Sequence, residues 1–330
     1  MKMTVLGAGQ MGSAFGAPAL ERGHELRYWG PDWIDGPALE ALAAGAPHPD
    51  LKTALPSPVE TTTEMAEAVR DAELVALAVT SEGAEWVSEE AAATVPEGVP
   101  VLVFTKGCVE RGGEIVPAAV RVREIFGPSH PVVVVGGPVK AIDLINRTPT
   151  QTAYGSGERA HARTLARAVE TDYYLPGTTE DFLGLGLCAA LKNCYAIVFG
   201  YLTGRKAPPN LLALAYGTSL GELSALVAAS GGRTETAAGP AGAGDLYVTC
   251  LSGRNGDFGR LLGEDNPPEV AREKMNNATV EGLGTLPPAL ALARSVGLGK
   301  EELPLLYHLD DVLGGRVEPG GSSLAALLAE

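Results

Sequence analysis

The chain contains 330 residues, 45% of them hydrophobic and 20% charged, and its formal net charge is -15. That length is sufficient for two domains with separate cores. Because the chain is acidic and has no block of Lys or Arg, its composition argues against binding to nucleic acid or an anionic membrane through a basic surface. The N-terminus carries no signal-peptide pattern, and no apolar run approaches the roughly 20 residues of a membrane span. We therefore expect a cytoplasmic protein without a membrane span.

The 4 cysteines are scattered without a Cys-x-x-Cys pair, and 5 histidines are too few to complete a metal-binding pattern. These counts predict reduced thiols and no structural metal.

Short apolar runs alternate with helical stretches in the first half of the chain. Residues 3–6 predict a strand, a glycine-rich segment and an Ala-rich helix follow it, and residues 24–29 predict a second strand. Further strands are predicted over 74–79, 101–104, 132–135, 150–154 and 173–175, with a helix over 158–170. Such alternation is typical of a doubly wound, parallel sheet of Rossmann type.

Strand signals stop after Gly177, and apolar residues then recur at helical spacing. Helices are predicted over 181–202, 211–229, 268–276, 286–296 and 302–313. The sequence thus predicts an α/β protein with a Rossmann-type, dinucleotide-binding domain over 1–180. An all-helical domain that carries the substrate and catalytic residues is predicted over 181–330.

The segment VLGAGQMG places Gly7, Gly9 and Gly12 in Gly-x-Gly-x-x-Gly spacing, with Gln10 and Met11 between the last two. Gly7 would permit a tight turn, Gly9 would let the backbone approach a pyrophosphate, and Gly12 would let the helix lie close to the sheet. The helix N-terminus would then face the phosphates. The alternative is a structural strand-to-helix turn without a ligand.

The choice between NAD and NADP depends on the end of the second strand, where Trp29 and Asp32 lie near the expected adenine ribose. An acidic residue there accepts a hydrogen bond from the ribose 2'-hydroxyl and repels a 2'-phosphate. No Arg or Lys stands between Trp29 and Lys52. This pattern leans towards NAD, although Asp32 could equally cap a helix that begins near Trp33.

Two lysines occupy apolar surroundings. Lys106 follows the apolar strand 101–104, where a charge usually has an anionic partner, although its side chain could also extend to solvent. Lys192 interrupts the apolar helical run 187–199, beside Asn193. A lysine in such surroundings can act as an acid or base.

A third cluster is the glycine-dense segment 242–259, predicted as a loop that carries Asp245, Arg254 and Asn255. Arg254 supplies a planar fork suited to phosphate, and Asn255 is predicted to cap a helix from Gly256 onward. Taken alone, the segment could also be an ordinary surface turn.

From Met3 to about Leu313, the chain resembles the NAD(P)-dependent sn-glycerol-3-phosphate dehydrogenase family. The matching elements are GAGQMGSAFG from Gly7, TKG from Thr105, GGP from Gly136 with TPT ending at Thr150, ALKN from Ala190, GAGDL from Gly242, GRN from Gly253 and VEG from Val280.

The resemblance implies roles for individual residues. Lys192 would be the catalytic acid/base, with Lys106 and Asp245 completing the catalytic group and holding the substrate. Arg254 and Asn255 would bind the substrate phosphate, and Gly137 would present its backbone to the substrate. The implied cofactor-binding residues are Gly7, Gly9, Gln10, Met11, Gly12, Trp29, Asp32, Lys106, Ala141, Arg254 and Glu281.

The chain also departs from the family pattern. Many bacterial members have SGPSFA where this chain has Gly136 to Ala141, so Val139 lacks a hydroxyl that could contact substrate and Lys140 replaces an aromatic residue. Gly186 replaces a glutamate common in the long helix. These departures affect the expected substrate placement.

The resemblance implies reversible hydride transfer between NAD(P)(H) and dihydroxyacetone phosphate, a small phosphorylated substrate, to supply glycerol phosphate for phospholipid synthesis. It leaves a homodimer as a possible assembly. Two alternatives stay open: a related 3-hydroxyacid or ketopantoate-type reductase, and a non-catalytic nucleotide-sensing module.

Overall fold

The structure, a computed structural model, describes residues 1–317. The chain divides into two compact units. The first unit comprises Met1–Val109 and Pro117–Gly186, and the second comprises Glu110–Val116 and the residues from Leu187 onward. The division into domains over 1–180 and 181–330 stays a prediction, and residues 318–330 of it lie outside the described residues.

The first unit is built on an eight-stranded sheet. In chain order its strands are β1 (Lys2–Leu6), β2 (Glu25–Trp29), β3 (Glu60–Thr62), β4 (Leu74–Leu77), β5 (Val101–Val103), β8 (Val132–Gly136), β9 (Thr150–Gly155) and β10 (Tyr174–Thr179). Two further strands, β6 (Cys108–Arg111) and β7 (Glu114–Pro117), include residues of the segment Glu110–Val116, which belongs to the second unit. The sheet order is β10-β9-β8-β5-β4-β1-β2-β3, and β6 and β7 form a separate two-stranded sheet.

Helices follow the strands of the first unit. They are α1 (Gln10–Glu21), α2 (Asp32–Ala44), α3 (Met65–Val69), α4 (Ser81–Ala92), α5 (Ala118–Phe126), α6 (Ala141–Ile145) and α7 (Arg159–Val169). The central strands β4, β5 and β8 contain only apolar residues and glycine, and Val75, Leu102 and Val133 are completely buried. Strands covered on both faces have this composition, which is why the short apolar runs could be recognised in the sequence.

The sheet is parallel except at one step. β9 pairs antiparallel with β8, and β10 then pairs parallel with β9. The α/β class and the Rossmann-type sheet are confirmed, but the two last strands run against the direction of the others.

The later part of the chain is helical. Its helices are α8 (Phe182–Gly204), α9 (Pro209–Ala229), α10 (Thr234–Ala238), α11 (Asp245–Leu251), α12 (Arg254–Gly263), α13 (Pro268–Lys274), α14 (Glu281–Ser295) and α15 (Pro304–Leu313), with a π-helical turn over Pro240–Gly244. The prediction of a loop over 242–259 is therefore wrong, because most of this segment is helical.

Gly259 of that segment serves close helix packing. A β-carbon on Gly259 of α12 would collide with the Ile197 carbonyl of α8, and one on Gly200 of α8 would collide with the Gly256 carbonyl. The backbones of α8 and α12 therefore approach each other directly. Glycine permits this contact because it has no β-carbon.

Two helices, α8 and α9, are long and apolar enough to cross a membrane by length and composition. Core helices of globular proteins share these properties, and 89% of the most apolar window of α8 is buried, against 33% for α9. The sequence expectation was based on uninterrupted apolar runs, which Lys192 and Glu222 break in these helices.

Candidate active site

The second unit contains a buried ion pair between α8 and α11. Lys192 Nζ lies 2.7 Å from Asp245 Oδ1, and the two residues are only 5% and 1% exposed. Lys192 Nζ also donates a hydrogen bond of 2.7 Å to Thr249 Oγ1. The Thr249 hydroxyl donates its own proton to the Asp245 carbonyl at 2.6 Å, so towards Lys192 it acts as the acceptor.

The local sequence explains why this lysine is held in place. α8 is almost completely buried, and a charged group in such a helix requires a charged or hydrogen-bonding partner. Asp245 and Thr249 are four residues apart on α11 and therefore lie on the same face. The ammonium form of a lysine is the form that can donate a proton to a substrate oxygen.

The residue after Lys192 begins a second network. Asn193 Nδ2 donates to Glu281 Oε2 at 3.2 Å, and Asn193 Oδ1 accepts from Asn255 Nδ2 at 3.1 Å. Asn255 Oδ1 in turn accepts from the Gly282 backbone N–H at 2.8 Å. Arg254 Nη2 pairs with Glu281 Oε1 at 3.2 Å, and both of these side chains are half exposed. Residues from the ALKN, GRN and VEG segments are thus brought together.

The predicted capping role of Asn255 is wrong. α12 begins at Arg254 with Gly253 as its N-cap, so Asn255 lies inside the helix. It is 7% exposed, and both ends of its amide bond to protein groups. The prediction failed because the preceding segment was assumed to be a loop.

In the first unit, the glycine segment forms the predicted turn between β1 and α1. Gly7 has a φ of +103° and donates its N–H to the Trp29 carbonyl at 2.8 Å. A β-carbon on Gly12 would collide with the Gly7 carbonyl, whereas one on Gly9 would meet no atom within 4 Å. The backbone at Gly9 is therefore open to an approaching group, with Gln10 and Met11 in the first turn of α1.

This turn fits a dinucleotide. The N-terminus of α1 has no side-chain cap and no acidic residue in its first turn, so its amides and the helix dipole favour an anion such as a pyrophosphate. The residues that would hold the cofactor here are those of the segment from Gly7 to Gly12.

The other predicted residues of the first unit follow the ends of strands. Trp29 is the last residue of β2; it is 3% exposed, and its Nε1 donates to the Thr63 carbonyl at 2.9 Å. Lys106 follows β5 and is partly buried, next to Thr105, whose hydroxyl donates to the Val79 carbonyl at 2.8 Å. Gly137 follows β8 with a φ of +121°.

The segment after Gly137 contains the departures from the family pattern. The Val139 N–H donates to the Gly137 carbonyl at 2.8 Å, and the Val139 side chain is buried. Lys140 is the N-cap residue of α6, and Ala141 is the first residue of that helix. Gly186 lies where a β-carbon would be 3.1 Å from Pro117 Cβ, which leaves little room for a larger side chain.

The two acidic residues at the start of α2 differ in placement. Asp32 is the exposed first residue of the helix, after the N-cap Pro31, and no side-chain capping bond is formed there. Asp35 is partly buried, and its Oδ2 accepts a 3.3 Å hydrogen bond from the Ala8 N–H in the glycine turn. Neither the capping alternative for Asp32 nor a contact of Asp32 with the turn is seen.

Sequence reasoning missed three residues of these sites, namely Thr249, Asp35 and His48. Thr249 could have been found from its position four residues after Asp245, once that segment was read as a helix. His48 Nε2 lies 3.0 Å from the Ala8 carbonyl, and His48 Nδ1 accepts from the Asp50 N–H at 3.1 Å. No local pattern in the sequence indicates the His48 contact, because this contact joins residues that are 40 positions apart in the chain.

A glycine turn on a parallel sheet and a helical unit with a buried lysine–carboxylate pair are typical of nicotinamide-dependent dehydrogenases. Residues 2–162 match the family model of the NAD-dependent glycerol-3-phosphate dehydrogenase N-terminus, and residues 181–321 match that of the C-terminus. The chain belongs to the NAD-dependent glycerol-3-phosphate dehydrogenase family.

Individual relatives agree with this assignment. The chain is 30% identical over 322 residues to the NADP(+)-dependent glycerol-3-phosphate dehydrogenase of Archaeoglobus fulgidus, covering 94% of this chain and 95% of that one. It is 31% identical over 313 residues to an NAD(P)+ glycerol-3-phosphate dehydrogenase of Bifidobacterium longum subsp. infantis, covering 94% and 92%. The crystal structure of glycerol-3-phosphate dehydrogenase from Coxiella burnetii matches with a TM-score of 0.87 at 24% identity, covering 100% and 99% of the two chains. This last likeness concerns the fold.

Proposed function

We propose that the chain reduces the C2 ketone of dihydroxyacetone phosphate to sn-glycerol 3-phosphate and catalyses the reverse oxidation, with NAD(P)(H) as cofactor. The observation that carries this proposal is the buried contact of Lys192 with Asp245 in a chain of the glycerol-3-phosphate dehydrogenase family. A bound reduced nicotinamide supplies the hydride that C2 accepts. The oxygen on C2 must then gain a proton.

We assign that proton to Lys192 Nζ. A general acid must lie within hydrogen-bond reach of the atom it protonates, and its geometry must be held before the reaction. Asp245 and Thr249 fix the position of Nζ from α11, each at 2.7 Å. The positive charge of the ammonium also stabilises the negative charge that develops on the substrate oxygen. In the reverse direction, Lys192 accepts the proton of the C2 hydroxyl.

Arg254 and Lys106 are the residues proposed to bind the substrate phosphate. The Arg254 guanidinium is half exposed and pairs with a carboxylate oxygen of Glu281. This exposure supports the proposal, because a dissolved anion can reach the guanidinium. Its planar fork matches phosphate geometry. The resemblance implies that Asn255 binds the same phosphate. Since its amide bonds to Asn193 and Gly282, we propose that it instead positions the start of α12, where Arg254 lies.

The remaining roles in this proposal follow the family resemblance. Gly137 presents its backbone to the substrate, while Ala141, Glu281 and Trp29 belong to the cofactor site. We also propose that the enzyme is cytoplasmic, that it supplies glycerol phosphate for phospholipid synthesis, and that it prefers NAD. A homodimer stays a prediction that light scattering of the purified chain would test.

A substrate panel tests the proposal. We expect the chain to oxidise NADH or NADPH with dihydroxyacetone phosphate at a kcat/KM at least about a hundredfold above that for ketopantoate or for other carboxylate substrates of 3-hydroxyacid reductases. The carboxylate substrates carry no phosphate, so their reduction does not require the phosphate-binding residues. A higher kcat/KM with a carboxylate substrate would favour the related reductase, and no turnover with any of them would favour the nucleotide-sensing module.

A further inference from the structure

Asp35 lies between the glycine turn and the end of β2. Its Oδ2 accepts the Ala8 N–H at 3.3 Å, and a β-carbon on Gly30, the residue that follows β2, would collide with the Asp35 carboxylate. The carboxylate therefore lies directly over the end of β2, and Gly30 is the residue type that allows it to do so. Burial raises the pKa of Asp35, while the hydrogen bond from Ala8 opposes that shift.

The same turn is held from a second side. His48 Nδ1 accepts backbone N–H groups of Asp50 and Leu51 at 3.1 and 3.4 Å, so the ring proton is on Nε2, which donates to the Ala8 carbonyl at 3.0 Å. Both backbone polar groups of Ala8 are thus bonded to side chains from beyond β2. These contacts fix the Asp35 carboxylate relative to the glycine turn before any ligand binds.

The stretch of sequence around Asp35 has no cationic side chain, since residues 28–51 contain no Lys or Arg. Arg27, the preceding residue, is engaged by Asp71 at 2.7 Å and by Glu60 at 2.7 Å. Lys52, the first cation afterwards, bonds through Nζ to the Pro49 carbonyl. The segment that follows β2 therefore carries negative charge only.

We propose that Asp35, rather than Asp32, selects the cofactor by accepting a hydrogen bond from the adenine ribose 2'-hydroxyl and repelling a 2'-phosphate. In Rossmann-type sheets, an acidic residue near the end of the second strand makes this contact with the ribose. Asp35 has the required position, whereas the Asp32 carboxylate lies beside Gly36 of its own helix, 2.9 Å from where a β-carbon on Gly36 would be. The proposal deepens the proposed function, and it requires only that the chain binds a nicotinamide dinucleotide.

Equilibrium binding tests this inference without any turnover. The dissociation constants of NADH and NADPH are measured by fluorescence titration for the unaltered chain and for Asp35→Asn, which keeps an oxygen that can accept the Ala8 N–H. We expect the unaltered chain to bind NADH about tenfold more tightly than NADPH. Asp35→Asn should tighten NADPH binding about fivefold to tenfold and weaken NADH binding, because only the charge is removed.

Two matched variants separate charge from support of the turn. Asp32→Asn removes a negative charge from the same helix and should leave the ratio of the two dissociation constants unchanged. His48→Gln weakens the support of Ala8 without changing a carboxylate, and it should alter both dissociation constants by the same factor.

Equal or tighter NADPH binding by the unaltered chain would overturn the proposal, whether or not Asp35→Asn folds. So would an equal effect of Asp35→Asn on both cofactors, which would make Asp35 a support of the turn alone. Absence of activity towards dihydroxyacetone phosphate would instead contradict the proposed function, since the binding ratio does not depend on it.

Discussion

The Lys192–Asp245 pair is the chemically most distinctive contact among the described residues, because burying two charges is costly unless they pair. Their separation of 2.7 Å and the Thr249 hydroxyl satisfy that requirement. At the scale of single residues, this pair therefore contributes to the stability of the second unit, and it contains the proposed general acid.

Lys192→Ala is expected to lower kcat by about 100- to 10,000-fold, since it removes the general acid. It should leave the dissociation constant of NADH nearly unchanged. The substitution also leaves Asp245 buried without its lysine partner, so the free energy of unfolding should fall by about 3–5 kcal/mol. Kinetics and circular dichroism at a temperature where the variant is folded separate the two effects. Activity within threefold of the unaltered chain would remove Lys192 from the mechanism.

Arg254→Lys is expected to raise KM for dihydroxyacetone phosphate about tenfold to a hundredfold, the loss expected for a hydrogen bond to a charged group. Lysine keeps the charge and loses the planar fork. The free energy of unfolding should change little, because the Arg254–Glu281 pair is half exposed. Steady-state kinetics provide the measurement, and an unchanged KM would place the phosphate elsewhere, with Lys140 as the next candidate.

Single residues differ in how far the sequence could predict them. Lys192, Asp245 and Arg254 stand in short motifs, so their importance could be inferred without coordinates. Asp35 and His48 could not be inferred in this way, because their contacts with Ala8 depend on how α2 and the following loop return to the turn. Distance along the chain predicts Asp32, whereas burial and side-chain direction support the proposal for Asp35.

At the scale of elements, the contact of α8 with α12 positions Asn193 beside Asn255. Gly259→Ala is expected to destabilise the protein by about 1–3 kcal/mol, because its β-carbon would collide with the Ile197 carbonyl. Gly256→Ala on the same helix is the matched control, since its β-carbon would meet nothing within 4 Å and alanine favours helix. Urea unfolding of both variants provides the comparison. Equal stability of the two would show that the α8–α12 contact is not close enough to exclude a methyl group.

Glu222 links α9 to the start of α15. It is 2% exposed and accepts the N–H groups of Leu305 and Leu306 at 2.6 and 3.2 Å. Burial raises its pKa from 4.5 to about 8, against the opposing effect of these hydrogen bonds. The folded state therefore binds more protons than the unfolded state between these two values.

The stabilising contribution of protonated Glu222 is thus complete below about pH 4.5 and is lost as pH rises towards 8. Glu222→Gln cannot titrate, so its free energy of unfolding should vary less over this range, by an amount on the order of a few kcal/mol. Urea unfolding at pH 5, 6, 7 and 8 tests this. Parallel pH profiles of the two proteins would show that Glu222 is ionised in the folded state throughout.

The apolar, buried elements could be predicted, and the short, partly exposed ones could not. α8 was expected over 181–202 and is found at Phe182–Gly204, because 23 residues give a clear helical pattern. β3, β6 and β7 are partly exposed and contain charged residues, so no apolar run marks them, whereas the equally short β5 is apolar and buried throughout. The antiparallel β8–β9 pairing also has no local signal, because strand direction depends on the path of the connecting chain.

At the scale of the whole molecule, the first unit carries the glycine turn that fits a dinucleotide, and the second unit carries the proposed acid/base pair. Both were inferred from motifs whose order along the chain matches one family, and both family models match their respective parts. The central claim is the reaction at C2 of dihydroxyacetone phosphate.

The most direct test follows deuterium into the product. The chain is incubated with dihydroxyacetone phosphate and a reduced cofactor carrying deuterium at both C4 positions, and the product is analysed by mass spectrometry and NMR. We predict sn-glycerol 3-phosphate with one deuterium at C2, and no such product with Lys192→Ala over the same time. Absence of labelled glycerol 3-phosphate with the unaltered, folded chain and either cofactor would contradict the account.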